Sequence, residues 1–178
     1  MLVPLAPEHL DGMWAAMNES AGALRTTMPW WRDEQTREDM GAWIAYAGSA
    51  REDGTLYAFS ILDSTGRYMG ACSLEAVSPA TRSANLSYWV RTSATGNGIA
   101  RTCARALAEF GCTALGLRRV EIGVVTTNPA SVAAAHGSGA HYEGRLRNKI
   151  YWEGQSHDLE MFSFVPTDFA KTPPASPA

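Results

Sequence analysis

Apolar residues along this chain recur at two spacings, and the switches between them mark out the elements. Between positions 7 and about 19, Leu10, Trp14 and Met17 share one helical face. Met28, Pro29, Trp30 and Trp31 then break any regular pattern. A second helical pattern carries Met40, Trp43, Ile44 and Ala47. Thr36 and Asp39 stand before it at capping-box spacing, and Gly54 ends it. A third runs through Ile99, Cys103, Ala106, Leu107, Phe110 and Ala114, with Arg101, Arg105 and Glu109 outside. A short fourth helix starts at Asn128, a good N-cap, with Pro129 in the favoured first position.

Alternating segments predict the strands. Positions 2–5 form a short strand whose Pro4 places it at an edge. Positions 56–62 and 68–77 form a hairpin through Asp63-Ser64-Thr65-Gly66. In 82–90, Ala84, Leu86, Tyr88 and Val90 share a face, and Val120, Ile122 and Val124 alternate in the next strand. Two more strands cover 141–152 and 158–164. Helices interleaved around one sheet give an α+β domain over residues 1–166. The remainder, 167–178, is rich in Pro, Ala and Ser and reads as a disordered tail.

Composition narrows the function classes. The chain has 178 residues and is 46% hydrophobic, enough for one ordinary core. A net charge of −3 offers no general attraction to nucleic acid or anionic membrane. The first residues lack a signal-peptide pattern, and no apolar run approaches the roughly 20 residues that span a bilayer. The three cysteines, Cys72, Cys103 and Cys112, show no metal-ligand spacing and read as reduced, cytoplasmic core residues. No metal is expected. The four histidines are scattered, and none pairs with a nucleophile at a recognisable spacing.

The most informative run is Thr95-Gly96-Asn97-Gly98-Ile99-Ala100-Arg101, between a strand and a helix. Such a turn leaves backbone N–H groups free at the positive end of a helix dipole, which favours an anion. Arg101 in the first helical turn opposes the dipole, and a bound phosphate would reverse the sign of that interaction. Two familiar nucleotide motifs do not fit. No Gly-Lys-Ser/Thr follows the loop, and there is no third glycine with an acid about 20 residues on.

Together with Tyr88-Trp89-Val90-Arg91, Asn128-Pro129-Ala130-Ser131 and Glu143-Gly144-Arg145-Leu146, this run resembles the GNAT acetyltransferase superfamily. More narrowly it resembles the ribosomal-protein N-acetyltransferase (RimJ/RimL-like) branch, over residues 2–164. The resemblance implies a mixed, mostly antiparallel sheet in which two parallel strands splay apart. It implies acetyl-CoA as co-substrate, with its pyrophosphate on the amides of the glycine turn. Tyr88, Trp89, Val90 and Arg91 would line the pantetheine arm. Thr95, Gly96, Asn97, Gly98, Ile99, Ala100 and Arg101 would form the cradle. Asn128 and Ser131 would lie beside the thioester. The branch commonly forms dimers, so a homodimer is an expectation by analogy. Three positions depart from the family: Thr95 replaces Arg or Gln, Ala135 replaces the tyrosine seven residues after the asparagine, and Ala140 replaces Phe.

The implied reaction is attack of a neutral amine on the thioester, with coenzyme A leaving as thiolate. An α-amine titrates near 7.7–8.0 and a lysine near 10.4, so lysine demands a stronger base. No strong base is evident. Glu75, Glu143 and Asp158 are the carboxylates to consider, each with a structural or solvated role as the alternative. Ser131 is the candidate donor to the thiolate, against a plain helix-start role. Met28, Trp30 and Trp31 wall the acceptor pocket or fill the core. The expected function is acetyl transfer to a protein or peptide N-terminal α-amine. The alternatives are a small amine, such as an antibiotic or polyamine, and a non-catalytic acetyl-CoA sensor.

Overall fold

The computed structural model describes residues 1–152 and 154–170. A seven-stranded sheet forms its centre, and its strands are numbered here in chain order: β1 Leu2–Pro4, β2 Tyr57–Leu62, β3 Tyr68–Ser78, β4 Ser83–Val90, β5 Arg119–Val125, β6 His141–Trp152 and β7 Gln155–Phe164. Their order across the sheet is β1-β2-β3-β4-β5-β7-β6. Every neighbouring pair is antiparallel except β4 and β5. The four helices are α1 Leu10–Thr27, α2 Arg37–Glu52, α3 Ile99–Thr113 and α4 Pro129–Gly137. This is the α+β arrangement expected from the alternating periods.

Side-chain alternation assigns a core to each face of the sheet. Cys72, Leu74, Ala84, Leu86, Val120, Ile122, Phe162 and Phe164 pack with α3 and with Ala135 of α4. Tyr68 and Trp89 point the other way, into Met13, Ala16 and Met17 of α1 and Met40 and Ile44 of α2. The three cysteines are free and buried, as small core residues.

Several details depart from the sequence reading. Helix α1 continues to Thr27 rather than ending near Glu19. The polar stretch Asn18-Glu19-Ser20 holds no helix breaker, and the next turn buries Leu24. Helix α3 is rotated from the expected stripe: Ala104, Ala108 and Gly111 face the sheet, while Ala106 and Ala114 are exposed. Small residues let that face approach closely; a β-carbon on Gly111 would sit 3.0–3.2 Å from Leu74, Leu117 and Val120. Residues 167–169, expected in the tail, are structured. Pro166–Phe169 forms a 3-10 turn in which Phe169 stacks on Phe164, 5.4 Å between centroids. Residues 171–178 lie outside the described residues.

The parallel pair positions the site. Strands β4 and β5 are paired only at Ser83–Arg119, Ala84–Val120 and Asn85–Glu121. Beyond Asn85, β4 remains on β3 as far as Val90, and β5 remains on β7 as far as Val125. The two halves of the sheet therefore part into a V that opens toward α3 and α4.

Candidate active site

Backbone geometry decides what β4 offers the V. Arg91 N–H donates to Met69 C=O at 2.9 Å, so Arg91 and Met69 form a hydrogen-bonded pair of the β3–β4 ladder. Alternation then turns the N–H and C=O groups of Tyr88 and Val90 away from β3, toward the opening. Trp89 and Arg91 face the other way. Trp89 is buried against Tyr68 on the α1 side. Arg91 donates to Glu19 through Nε and Nη2 and to the Tyr68 carbonyl through Nη1. Its own carbonyl accepts from Ala94 N–H. Of the expected run, Tyr88 and Val90 turn their backbone groups toward the opening, while Trp89 and Arg91 pair their backbone with β3 and send their side chains to the α1 side.

Glu19 and Ser20 are the residues that sequence reasoning missed. Glu19 accepts from Arg91 and from Ser93 N–H at 2.9 Å, and Ser20 Oγ accepts from Thr92 N–H at 3.0 Å. The Arg91 guanidinium holds the Glu19 carboxyl well down, to about 2. Helix α1 thereby fixes the turn that leads into the glycine segment. The polar run Asn18-Glu19-Ser20 after Met17 was the available signal.

In that segment Gly96 has φ +79° and Gly98 φ +73°, left-handed values that glycine adopts without strain. Gly98 is the N-cap of α3 and supplies no side-chain cap. The Thr95 hydroxyl donates to Thr92 C=O, and the Asn97 amide to Ala94 and Thr95 C=O, so both side chains brace the turn. Among the described residues, the backbone N–H groups from Gly96 through Arg101, Ile99 and Ala100 included, find no acceptor. Arg101 folds over them: a β-carbon on Gly98 would lie 2.8 Å from Arg101 Nε, and one on Gly137 3.2 Å from its Cδ. Arg105 instead spans to Ser138 C=O and stacks on Phe169.

Across the V, Asn128 caps α4 by accepting from Ser131 N–H at 3.0 Å. Ser131 Oγ donates to Tyr88 Oη at 3.1 Å, and Tyr88 Oη donates to Ser131 C=O at 3.1 Å. Burial pushes the Tyr88 phenol up, and the Ser131 bond offsets part of that. On the opposite face of β4, Ser87 and Ser73 form a triangle with Glu75. Ser87 Oγ reaches Glu75 Oε1 at 2.5 Å, Ser73 Oγ reaches it at 2.6 Å, and the two hydroxyls are 2.8 Å apart. Ser87 lies two residues past the last β4–β5 rung, at the fork of the V.

Glu143 sits elsewhere. Arg119 binds both its oxygens and Ser163 donates to it at 2.7 Å, which lowers its carboxyl to about 2. So acidic a carboxylate is a poor proton acceptor near neutrality, and the base role expected of it is withdrawn. Asp158 accepts from Asn148 N–H across the β6–β7 hairpin. Met28 and Trp31 pack onto the α1–α2 core, and Trp30 alone of the three is largely exposed, at 44%. Among the described residues no helix is long and apolar enough to cross a membrane.

The comparisons with known proteins agree with this geometry. The GNAT acetyltransferase domain family matches residues 1–141. A putative ribosomal N-acetyltransferase, YdaF of Bacillus subtilis, is 31% identical over 100 residues, 56% of this chain and 55% of that one. The match thus spans about half the length of that relative. Among solved structures, a Salmonella typhimurium acetyl transferase described as modifying the N-terminal serine of ribosomal protein L7/L12 superposes with a TM-score of 0.83. It is 21% identical, over 92% of this chain and 93% of that one. Mycobacterium smegmatis RimJ, solved with a CoA-disulfide, also gives 0.83, at 21% identity over 96% and 84% of the two chains. A sheet forked after three parallel rungs, a bare amide turn beyond the end of β4 and a family match over most of its length lead to one assignment: the chain belongs to the GNAT acetyltransferase family.

Proposed function

We propose that this protein transfers an acetyl group from acetyl-CoA to a primary amine, and that the amine is the N-terminal α-amine of a protein or peptide. The unpartnered amides from Gly96 to Arg101 carry the reading. They suit a diphosphate, and the Arg101 guanidinium above Gly98 adds the positive charge that Thr95 does not supply. The exposed backbone edge at Tyr88 and Val90 suits the amides of a pantetheine arm entering the V. A cytoplasmic homodimer accords with this reading by analogy with its branch.

The two candidate chemical groups stand on opposite faces of one strand. Ser131 meets β4 at Tyr88 on the α3–α4 side, and Glu75 meets it at Ser87 on the α1–α2 side. An acyl group lying between them is attacked from one face and released on the other. Glu75 is the base in this scheme. Its triangle has three oxygen–oxygen contacts but only two hydroxyl protons, from Ser73 and Ser87. In this scheme Glu75 takes the proton that the attacking amine sheds, with both serines holding its carboxyl in place. A backbone N–H at the fork stabilises the oxyanion.

An α-amine needs no strong base to reach its neutral form, because a sizeable fraction of such amines is neutral near pH 7, and Glu75 serves the proton shed as the C–N bond forms. Trp30, exposed in the α1–α2 connection, and its neighbours Met28 and Trp31 flank the acceptor side in this reading. The test is thiol release from acetyl-CoA with a panel of N-terminally free peptides, lysine-side-chain peptides, spermidine and an aminoglycoside. Turnover on α-amines with Glu75→Gln slowed about 10²-fold or more supports the scheme. Turnover confined to side-chain or small-molecule amines overturns the α-amine assignment, and an undiminished Glu75→Gln overturns the base.

A further inference from the structure

One glycine has no backbone reason to be where it is. Gly123 stands in the middle of β5 with an extended backbone, so neither a turn nor a left-handed angle calls for it. Val120, Ile122 and Val124 point toward α3, so position 123 points to the α1–α2 side of the sheet. Helices α1 and α2 pack over β2 and β3 there, and Gly123 is exposed although β5 has a strand on each side. A glycine inside a strand often marks a place where another group comes close.

Register fixes its surroundings. Asn85 and Glu121 are the last paired positions of the two parallel strands. Ser87 and Gly123 each lie two residues further, roughly 6.6 Å along their strands, on the same face and on opposite banks of the fork. On one bank Ser87 holds Glu75, the base of the proposed reaction. On the other there is no side chain. Met161 of β7 is the ladder partner of Gly123, and a β-carbon added to the glycine would lie 3.1 Å from Leu159 Cδ1 and 3.4 Å from Met161 Sδ. Gly123 is therefore the floor of a notch with two apolar walls, one of them an adaptable thioether. An amine that sheds its proton to Glu75 brings its own carbon to this gap. In an α-amine that carbon carries a side chain; in a lysine side chain or a polyamine it does not.

We propose that Gly123 is a specificity-determining residue: the side chain of the acceptor's first residue seats over it, between Leu159 and Met161, and the absent β-carbon sets how large that side chain is allowed to be. The inference rests on the α-amine reading above. The side chain it takes is uncharged, because both walls would strip water from a charge and offer it no partner.

The test is a kcat/KM series on peptides that differ only in their first residue, Gly, Ala, Val, Met or Asp, with the wild type, Gly123→Ala and Met161→Ala. The new β-carbon of Gly123→Ala presses only on the ends of two flexible side chains, and a thermal melt checks that the variant folds. The ratio of Val-first to Gly-first activity should fall about 10-fold or more in Gly123→Ala, the scale of one methyl group in a close-fitting pocket. Met161→Ala should raise the ratio of Met-first to Ala-first activity, and the wild type should favour Ala-first over Asp-first peptides. A role in packing alone would lower the melting temperature and scale every peptide alike. Ratios that stay constant in both variants, or an Asp-first peptide as good as the Ala-first one, overturn the proposal and leave acetyl transfer to α-amines standing. A wild type that acetylates none of these peptides overturns the α-amine reading itself, and this inference with it.

Discussion

Substitutions at Gly98 separate shape from charge in the amide turn. A residue with a side chain at φ +73° costs about 1–2 kcal/mol, and asparagine tolerates this region better than most. The new β-carbon would meet Arg101 Nε at 2.8 Å, but that contact is the end of a flexible, exposed side chain that can move aside. Gly98→Asn and Gly98→Asp share size and backbone demand and differ in one charge. At the N-terminus of α3 that charge stabilises the fold by about 0.3–1 kcal/mol, so the Asp variant should melt at or above the Asn variant. Binding should move the opposite way. A carboxylate about 5 Å from a doubly charged diphosphate, in near-aqueous surroundings, costs about 2 kcal/mol, or about 30-fold in affinity. Calorimetry with coenzyme A at low salt and thermal melts of the two variants read both signs. Equal coenzyme A affinity in folded Asp and Asn variants would refute the cradle, because no misfolding argument accounts for a stabler protein that binds equally well.

Two further perturbations probe the scaffold. Glu19 and Glu143 both have folded values of about 2, below the ordinary 4.5 of a glutamate, so their contribution is present above pH 4.5 and fades as pH falls toward 2. Melting temperature measured from pH 7 down to 2.5 should drop most steeply in that window, and Glu19→Gln and Glu143→Gln should each flatten the profile; an unchanged slope in both variants contradicts the pairing with Arg91 and Arg119. Gly70 lies opposite Val90, and a β-carbon there would sit 2.2 Å from the Trp89 carbonyl oxygen. Gly70→Ala should therefore cost about 2 kcal/mol or more, a fall of about 4–8 °C in melting temperature for a chain of this size, and a melt within 1 °C of wild type contradicts so close an approach.

Most of the architecture could be read from local chemistry. The Thr36–Asp39 capping box, the Asn128-Pro129 helix start and the alternation through β4 and β5 each appear as expected. These signals are short-range, carried by residues one to three apart. What escaped was long-range. The tether from Glu19 to Arg91 joins residues 72 positions apart, and neither partner is unusual by itself. The rotation of α3 depended on which small residues the sheet would admit, a property of packing rather than of periodicity. At the candidate site the glycine turn was legible because glycine is required there. The Ser73–Ser87–Glu75 triangle was not, since it needs the register of β3 against β4. Glu143 looked as plausible a base as Glu75 until Arg119 was found across the neighbouring strand.

Three paired positions join β4 to β5, and so one half of the sheet to the other. Past Asn85 on one bank and Glu121 on the other, no backbone rung joins the two strands. A guest with a peptide-like arm would act there as a temporary eighth strand, knitting the margins together for as long as it stays. Occupancy and rigidity are then one property. Amide exchange at Tyr88, Val90 and the upper part of β5 should then slow in proportion to the carrier bound.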